Sequence, residues 1–167
     1  MAVVDMVALR AGLSRGQRLL GLDPGAKTIG VALSDVGLML ASPFAQIRRA
    51  KFGTNVAELA RIITAQGVGG LVVGLPLSMD GSTGPAAQAA KDWTHALSAA
   101  LHLPAAMWDE RLSSSAANRV LVGEADLSRA RRAQLVDAMA ASYMLQAALD
   151  ASRPRADSRA DGQNVIL

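Results

Sequence analysis

No cysteine occurs in the 167 residues. Disulfides and thiolate-held metals are therefore excluded, and a reducing, cytoplasmic setting fits. Histidine is nearly as scarce. His95 and His102 are the two present, and on one helix they would stand about 10 Å apart, too far to share an ion. Aromatic residues make up 3% of a chain that is 51% hydrophobic, much of it alanine, so the core has to be built from small and aliphatic side chains packed closely. No apolar run approaches the ~18 residues of a membrane span. The opening "MAVVDMVALRAGLSRG" lacks a basic start and is broken by Asp5, so it does not read as a secretion signal.

The length suits one domain with a real core. Net charge is +3 with a pI of 9.9, most of it from arginine, a balance that permits a polyanionic partner. Residues 1–17 read as an extension or accessory helix, with Val4, Val7, Ala8 and Ala11 forming a weak apolar stripe. "RLLGLD" is a short apolar run, and "TIGVALSD" alternates at strand period with Ile29, Val31 and Leu33 on one face. Asp23-Pro24-Gly25 between them is a turn signature, so the two runs predict a hairpin. "LMLASPFAQI" supplies a third strand, interrupted or ended near Pro43.

Asn55 with Glu58 three residues on has the form of a capping box, followed by helical spacing to Gly67. "GLVVGLP" reads as a strand covered on both faces. After the polar loop "SMDGSTG", Pro85 is placed to open a helix whose apolar face is Ala86, Ala89, Ala90, Trp93 and Leu97. "PAAMW" is a fifth strand, Ser113–Val122 a short helix, and Ser128 the cap of a long one reaching about Leu149. Residues 151–167 are polar, rich in Arg and Asp, and read as a disordered tail. The order predicts an α/β domain over residues 18–150 with a mixed sheet.

In such sheets, sites lie outside the carboxyl ends of parallel strands. Asp23 ends the first strand, and Asp109 and Glu110 end the fifth, where alternation lets only one of the pair face the site. Asp137 shares a helix face with Ala140, Ala141, Met144 and Leu145, an acid where a hydrophobe belongs. Each has an ordinary reading: Asp23 as a turn residue, Asp109-Glu110-Arg111 as a solvated salt-bridged corner, Asp137 as a partner of Arg131 or Arg132. Together, three converging acids would repel unless cations lay between them. An oxygen-only ligand set suits Mg²⁺ or Mn²⁺, and two such ions hydrolyse phosphodiesters.

Four ordered motifs, "LLGLDPGAKTIGVALSD", "VVGLPLSMDGSTGPAA", "WDERLSSSAA" and "LVDAMAASYMLQAALD", resemble the YqgF family. These are ribonuclease H-like bacterial proteins described as nucleases of pre-16S rRNA and, earlier, as Holliday-junction resolvases. The resemblance spans about residues 18–150 and implies a five-stranded mixed sheet flanked by helices. It selects Glu110 over Asp109 and makes Asp23, Glu110 and Asp137 the acidic, metal-binding triad. It sets Lys27 and Arg111 beside the substrate backbone. Ser113, Arg131 and Arg132 are further candidates for nucleic-acid contact, the serine as a helix cap and the arginines as the basic segment upstream of Asp137.

The chain departs from the family pattern in carrying Ser113, Ser114 and Ala116 after "DERL", where two threonines and a glutamate are common. It has Ala133, Gln134 and Ala138 around Asp137 where lysines are common. The implied role is endonucleolytic maturation of the 16S rRNA 5′ end, on pre-rRNA or a pre-ribosomal particle, by a monomer or homodimer. The rivals are a junction resolvase acting on branched DNA, a nucleotide-binding ATPase on a related fold, and a binding module without catalysis.

Overall fold

The computed structural model describes residues 2–112 and 129–155, with side chains from Val136 onward in the second stretch. Its elements in order are α1 (Met6–Ala11), β1 (Arg18–Pro24), β2 (Thr28–Ser34), β3 (Ala41–Arg48), α2 (Phe52–Gln66), β4 (Val68–Leu75), α3 (Pro85–Leu101), β5 (Ala105–Asp109), a 3₁₀ turn (Glu110–Leu112) and α4 (Arg129–Ala151). One sheet runs β3-β2-β1-β4-β5. β2 is antiparallel to both its neighbours, and β4 and β5 run parallel to β1. This is the five-stranded mixed sheet with flanking helices that the ribonuclease H-like resemblance implies. The short helix expected over Ser113–Val122 and the cap at Ser128 lie outside the described residues.

Helices cover the sheet on both sides. Against one face, α4 brings Ala141, Met144, Leu145 and Leu149 onto Leu19, Ala32, Val72 and Ala106. Against the other, Leu59 and Leu97 pack with Leu20, Leu22, Ile29, Val31, Leu71 and Val73. Double coverage explains why β4 is buried along all its length and reads as an unbroken apolar run.

Three local expectations change. In α1, Met6 and Leu9 are buried while Val7 is 65% exposed. The larger side chains at i and i+3 take the core, and the stripe of Val7, Ala8 and Ala11 faces out. Ahead of this helix, Val3 bridges to Ala105 at the outer edge of β5, and the Val4 amide donates to the Ala105 carbonyl at 2.8 Å.

In α2, the helix begins three residues before the expected cap. Asn55 is buried, and its side chain serves the corner leading out of β3. Its Nδ2 donates to the Arg48 carbonyl at 3.1 Å, and its Oδ1 accepts from the Ala50 amide at 3.0 Å. In α3, Pro85 is the first residue as expected, but the inward face is Ala87, Ala90, Thr94, Leu97 and Ser98. The two hydroxyls can be buried because each donates to a nearby carbonyl, Thr94 to Ala90 and Ser98 to Leu103.

Of the two readings at Pro43, the strand is interrupted there and not ended, running on to Arg48. The ladder with β2 shifts register between Val31 and Ala32, and Pro43 stands opposite Ala32 on the outermost strand, where a missing N–H is tolerated.

Candidate active site

The acids gather along one row of the sheet. Asp23 pairs in register with Gly30 of β2, and Gly30 with Gln46 of β3. On the other side, the β1–β4 register ends at Leu22–Val73, one residue short of Asp23 and Gly74, and Gly74 pairs with Trp108 of β5. Paired residues point to the same side of a sheet, here the side covered by α4. Asp23 therefore stands between two glycines, and both are occupied from above. A Cβ on Gly30 would collide with the Asp137 carbonyl oxygen, and one on Gly74 would come within 2.6 Å of Glu110 Oε1. Absence of two side chains is what lets α4 and the Glu110 side chain descend beside Asp23.

Glu110 opens the 3₁₀ turn after β5 and is partly buried. Burial, a hydrogen bond with the Asp23 carboxyl, and the charges of Asp23 and Asp109 push its pKa up from 4.5 to about 8. Glu110 thus lies close to the Asp23 carboxyl, where a second negative charge is disfavoured and the protonated form of Glu110 is favoured.

Asp109 behaves differently. Its Oδ2 accepts from Arg111 Nη2 at 2.6 Å and its Oδ1 from Arg111 Nε at 3.0 Å and from the Arg111 amide at 2.9 Å. That engagement by Arg111 holds Asp109 below the usual carboxylate range. The salt-bridged corner is real, but it belongs to Asp109 and Arg111. Glu110 turns to the other side of the strand end, to Asp23.

Asp137 enters from α4 with its backbone on Gly30. Its Oδ2 accepts from Thr28 Oγ1 at 2.6 Å and from Gln46 Nε2 at 3.1 Å. It is thus next to Asp23 along the row, with its Oδ2 held by β2 and β3. Among the described residues no three acidic or histidine side chains are gathered tightly enough to enclose an ion.

Lys27 is exposed at the turn between β1 and β2. Arg111, besides binding Asp109, donates from Nη1 to the Met79 carbonyl at 3.2 Å and so ties the β4–α3 loop to the strand end. Ser113 lies outside the described residues, and the side chains of Arg131 and Arg132, in the first turn of α4, do as well.

Gly30, Gly74, Thr28 and Gln46 also shape the site and are not among the candidates that the sequence offers. The signal for Gly30 and Thr28 was available in the alternation of "TIGVALS", which puts both on the face opposite Ile29. Gly74 and Gln46 become meaningful only when the strand register is known.

A family model described as RuvX, Holliday junction resolvase, matches residues 17–151. A protein of Gluconacetobacter diazotrophicus is 65% identical over 152 residues, covering 91% of this chain and 99% of its own length. One of Gluconobacter oxydans is 66% identical over 148 residues, covering 89% and 92%. One of Acidiphilium cryptum is 55% identical over 150 residues, covering 90% and 94%. All three carry the name "Putative pre-16S rRNA nuclease". The solved Thermus thermophilus RuvC structure aligns over 77% of this chain and 92% of its own, at 12% identity and a TM-score of 0.49.

Proposed function

Since the chain belongs to the RuvX family, we propose that it is a divalent-metal-dependent endonuclease that hydrolyses nucleic-acid phosphodiesters, and that it acts in 5′-end maturation of pre-16S rRNA in the cytoplasm. One observation carries the reading: Asp23 and Glu110, from different strand ends, are pressed together so that Glu110 keeps its proton up to about pH 8. Replacing the Glu110 proton by a cation relieves the repulsion, and the donors are all hard oxygens, which suits Mg²⁺ or Mn²⁺. The names of the curated relatives supply the substrate.

In this reading Asp23 and Glu110 hold the metal, and Asp137, one position along the row, is the third acid of the site. When bound, one or two divalent ions supply the charge that acidifies a water and neutralises the departing oxygen. The protein's part is to hold the carboxylates rigid. Gly30 and Gly74 admit Asp137 and Glu110 to Asp23, and Thr28 and Gln46 fix Asp137 by two hydrogen bonds. Arg111 keeps Asp109 out of the site by pairing with it.

Incubating a 5′-extended 16S precursor transcript with protein and Mg²⁺ tests the reading. Cleavage is expected from the wild type and should fall at least about a hundredfold in Asp23→Asn and Glu110→Gln. Calorimetry should show the Mg²⁺ or Mn²⁺ site lost in the same variants. Full activity in either variant sinks the assignment. The description of the family model favours a second reading, cleavage of branched DNA. A four-way junction offered in the same assay separates the two, because junction resolution also needs two sites and hence a dimer.

A further inference from the structure

Polyanions are repelled by a cluster of carboxylates, so a nuclease built on Asp23, Glu110 and Asp137 needs cations nearby to hold its substrate. Arg111 is already engaged by Asp109 and Met79. A different part of the molecule is better suited. A cleft of about 690 Å³ is lined by Ala26, Lys27, Thr28, Gln46, Arg48 and Arg49. It lies where β2 starts and β3 ends, the same end of the sheet as the carboxyl end of β1.

Three properties single it out. First, it is continuous with the acids: Thr28 and Gln46 line the cleft and also donate to Asp137 Oδ2. Second, its charge is unspent. Among the described residues the ion pairs are Arg111–Asp109 and Arg153–Asp150, and neither involves Lys27, Arg48 or Arg49. Third, one cation is already positioned. Arg49 Nη1 donates to the Gly25 carbonyl at 2.6 Å, and the guanidinium lies 5.7 Å from the centre of the Trp93 ring. Arg48 is exposed and pairs in register with Thr28, two strands from β1, about 10 Å at ordinary strand spacing. That offset sets it beside a neighbouring phosphate and away from the one being cut.

We propose that this β2–β3 cleft binds the sugar-phosphate backbone of the substrate strand next to the scissile bond, with Arg48 and Lys27 contacting phosphate oxygens and Arg49 fixing the turn that carries Lys27. The inference rests on the nuclease reading for its substrate. Phosphate contacts position a strand without reading its sequence, so the cleft accepts the backbone chemistry that RNA and DNA share.

The test is fluorescence anisotropy in the Asp23→Asn background, so that probes stay intact. Two probes are used, a single-stranded RNA and a four-way DNA junction. Arg48→Glu is expected to weaken binding about tenfold, and Arg48→Ala to reduce the slope of log affinity against log salt by about 0.7 on the single strand. Arg48→Lys should retain most of the affinity. Arg15→Glu, an exposed charge ahead of β1, should leave it unchanged, and melting curves check that every variant is folded.

Loss on the RNA alone makes RNA the occupant, and loss on the junction alone makes it DNA; both support the cleft. Unchanged affinity on both probes, an equal loss from Arg15→Glu, or no binding by the Asp23→Asn parent overturns it. Cleavage by the wild type is scored separately. Binding that depends on Arg48 without cleavage would remove the nuclease reading and leave the cleft standing.

Discussion

At the scale of single residues, the two glycines beside Asp23 carry as much of the site as the acids do, but in different ways. Over Gly30 lies backbone, the Asp137 carbonyl, which cannot move without shifting α4. Over Gly74 lies the end of the Glu110 side chain, which can swing. Gly30→Ala should therefore lower global stability by about 1–3 kcal/mol, the usual cost of overpacking a tight contact, read as a lower urea midpoint. Gly74→Ala should cost less stability yet weaken Mg²⁺ binding in calorimetry, since the displaced atom belongs to the carboxylate proposed to hold the metal. Equal effects of the two substitutions on the urea midpoint would contradict this division.

Asp23 itself shows what a single residue discloses. As a residue before Pro-Gly it is a sufficient turn former, and nothing nearby in sequence says more. Its neighbours in the site come from residues 110 and 137, and only strand register brings them together. Choosing Glu110 over Asp109 likewise could not come from composition. It rests on family likeness; that Arg111 engages Asp109 while Glu110 lies beside Asp23 is visible only in space.

Among the elements, the corner between β3 and α2 is where an individual side chain governs a working surface. Asn55 spans it with hydrogen bonds to the Arg48 carbonyl and the Ala50 amide, and so sets the backbone from which Arg48 and Arg49 project. Asn55→Ala would leave two partly buried backbone groups without their side-chain partner. A loss of about 1–3 kcal/mol is expected, measured by denaturant unfolding, together with weaker RNA binding. Asn55→Asp should recover part of the first, because one carboxylate oxygen can still accept from Ala50.

Elements with strict periodicity were legible in advance. The β1–β2 hairpin, the buried β4 and the Pro85 start of α3 all follow from local pattern. The start of α2 was misplaced because Asn55 makes the polar contacts of a cap while serving another segment. The face of α3 was turned because alanines carry little directional signal, and because Thr94 and Ser98 look polar until their carbonyl partners are known. In α1, the larger Met6 and Leu9 take the core in place of the smaller Val7, Ala8 and Ala11.

For the molecule as a whole, Glu110 links the site to global stability through pH. Its folded value of about 8 exceeds the ordinary 4.5, so the native state binds this proton more tightly than the unfolded chain. The stabilisation is complete below about pH 4.5 and is lost as pH rises through about 8. Metal-free protein should accordingly lose stability between pH 5 and 8, and Glu110→Gln should flatten that part of the profile. Adding Mg²⁺ should restore stability most at the alkaline end, where the carboxylate is free to bind it. A metal-free melting temperature that rises across pH 5–8 through Glu110 would show the sign to be wrong.

The sheet's two margins have a further consequence. A strand at the end of a sheet normally offers a row of free amides and carbonyls on which another chain can build. Here one margin carries Pro43 and a slipped ladder, and the other is taken up by the Val3–Ala105 bridge. Among the described residues each margin thus carries a feature that hinders strand addition, Pro43 on one side and the Val3–Ala105 bridge on the other, so a pairing of two copies is expected to use helices or loops, and a cross-linked dimer joined through β3 or β5 would contradict this.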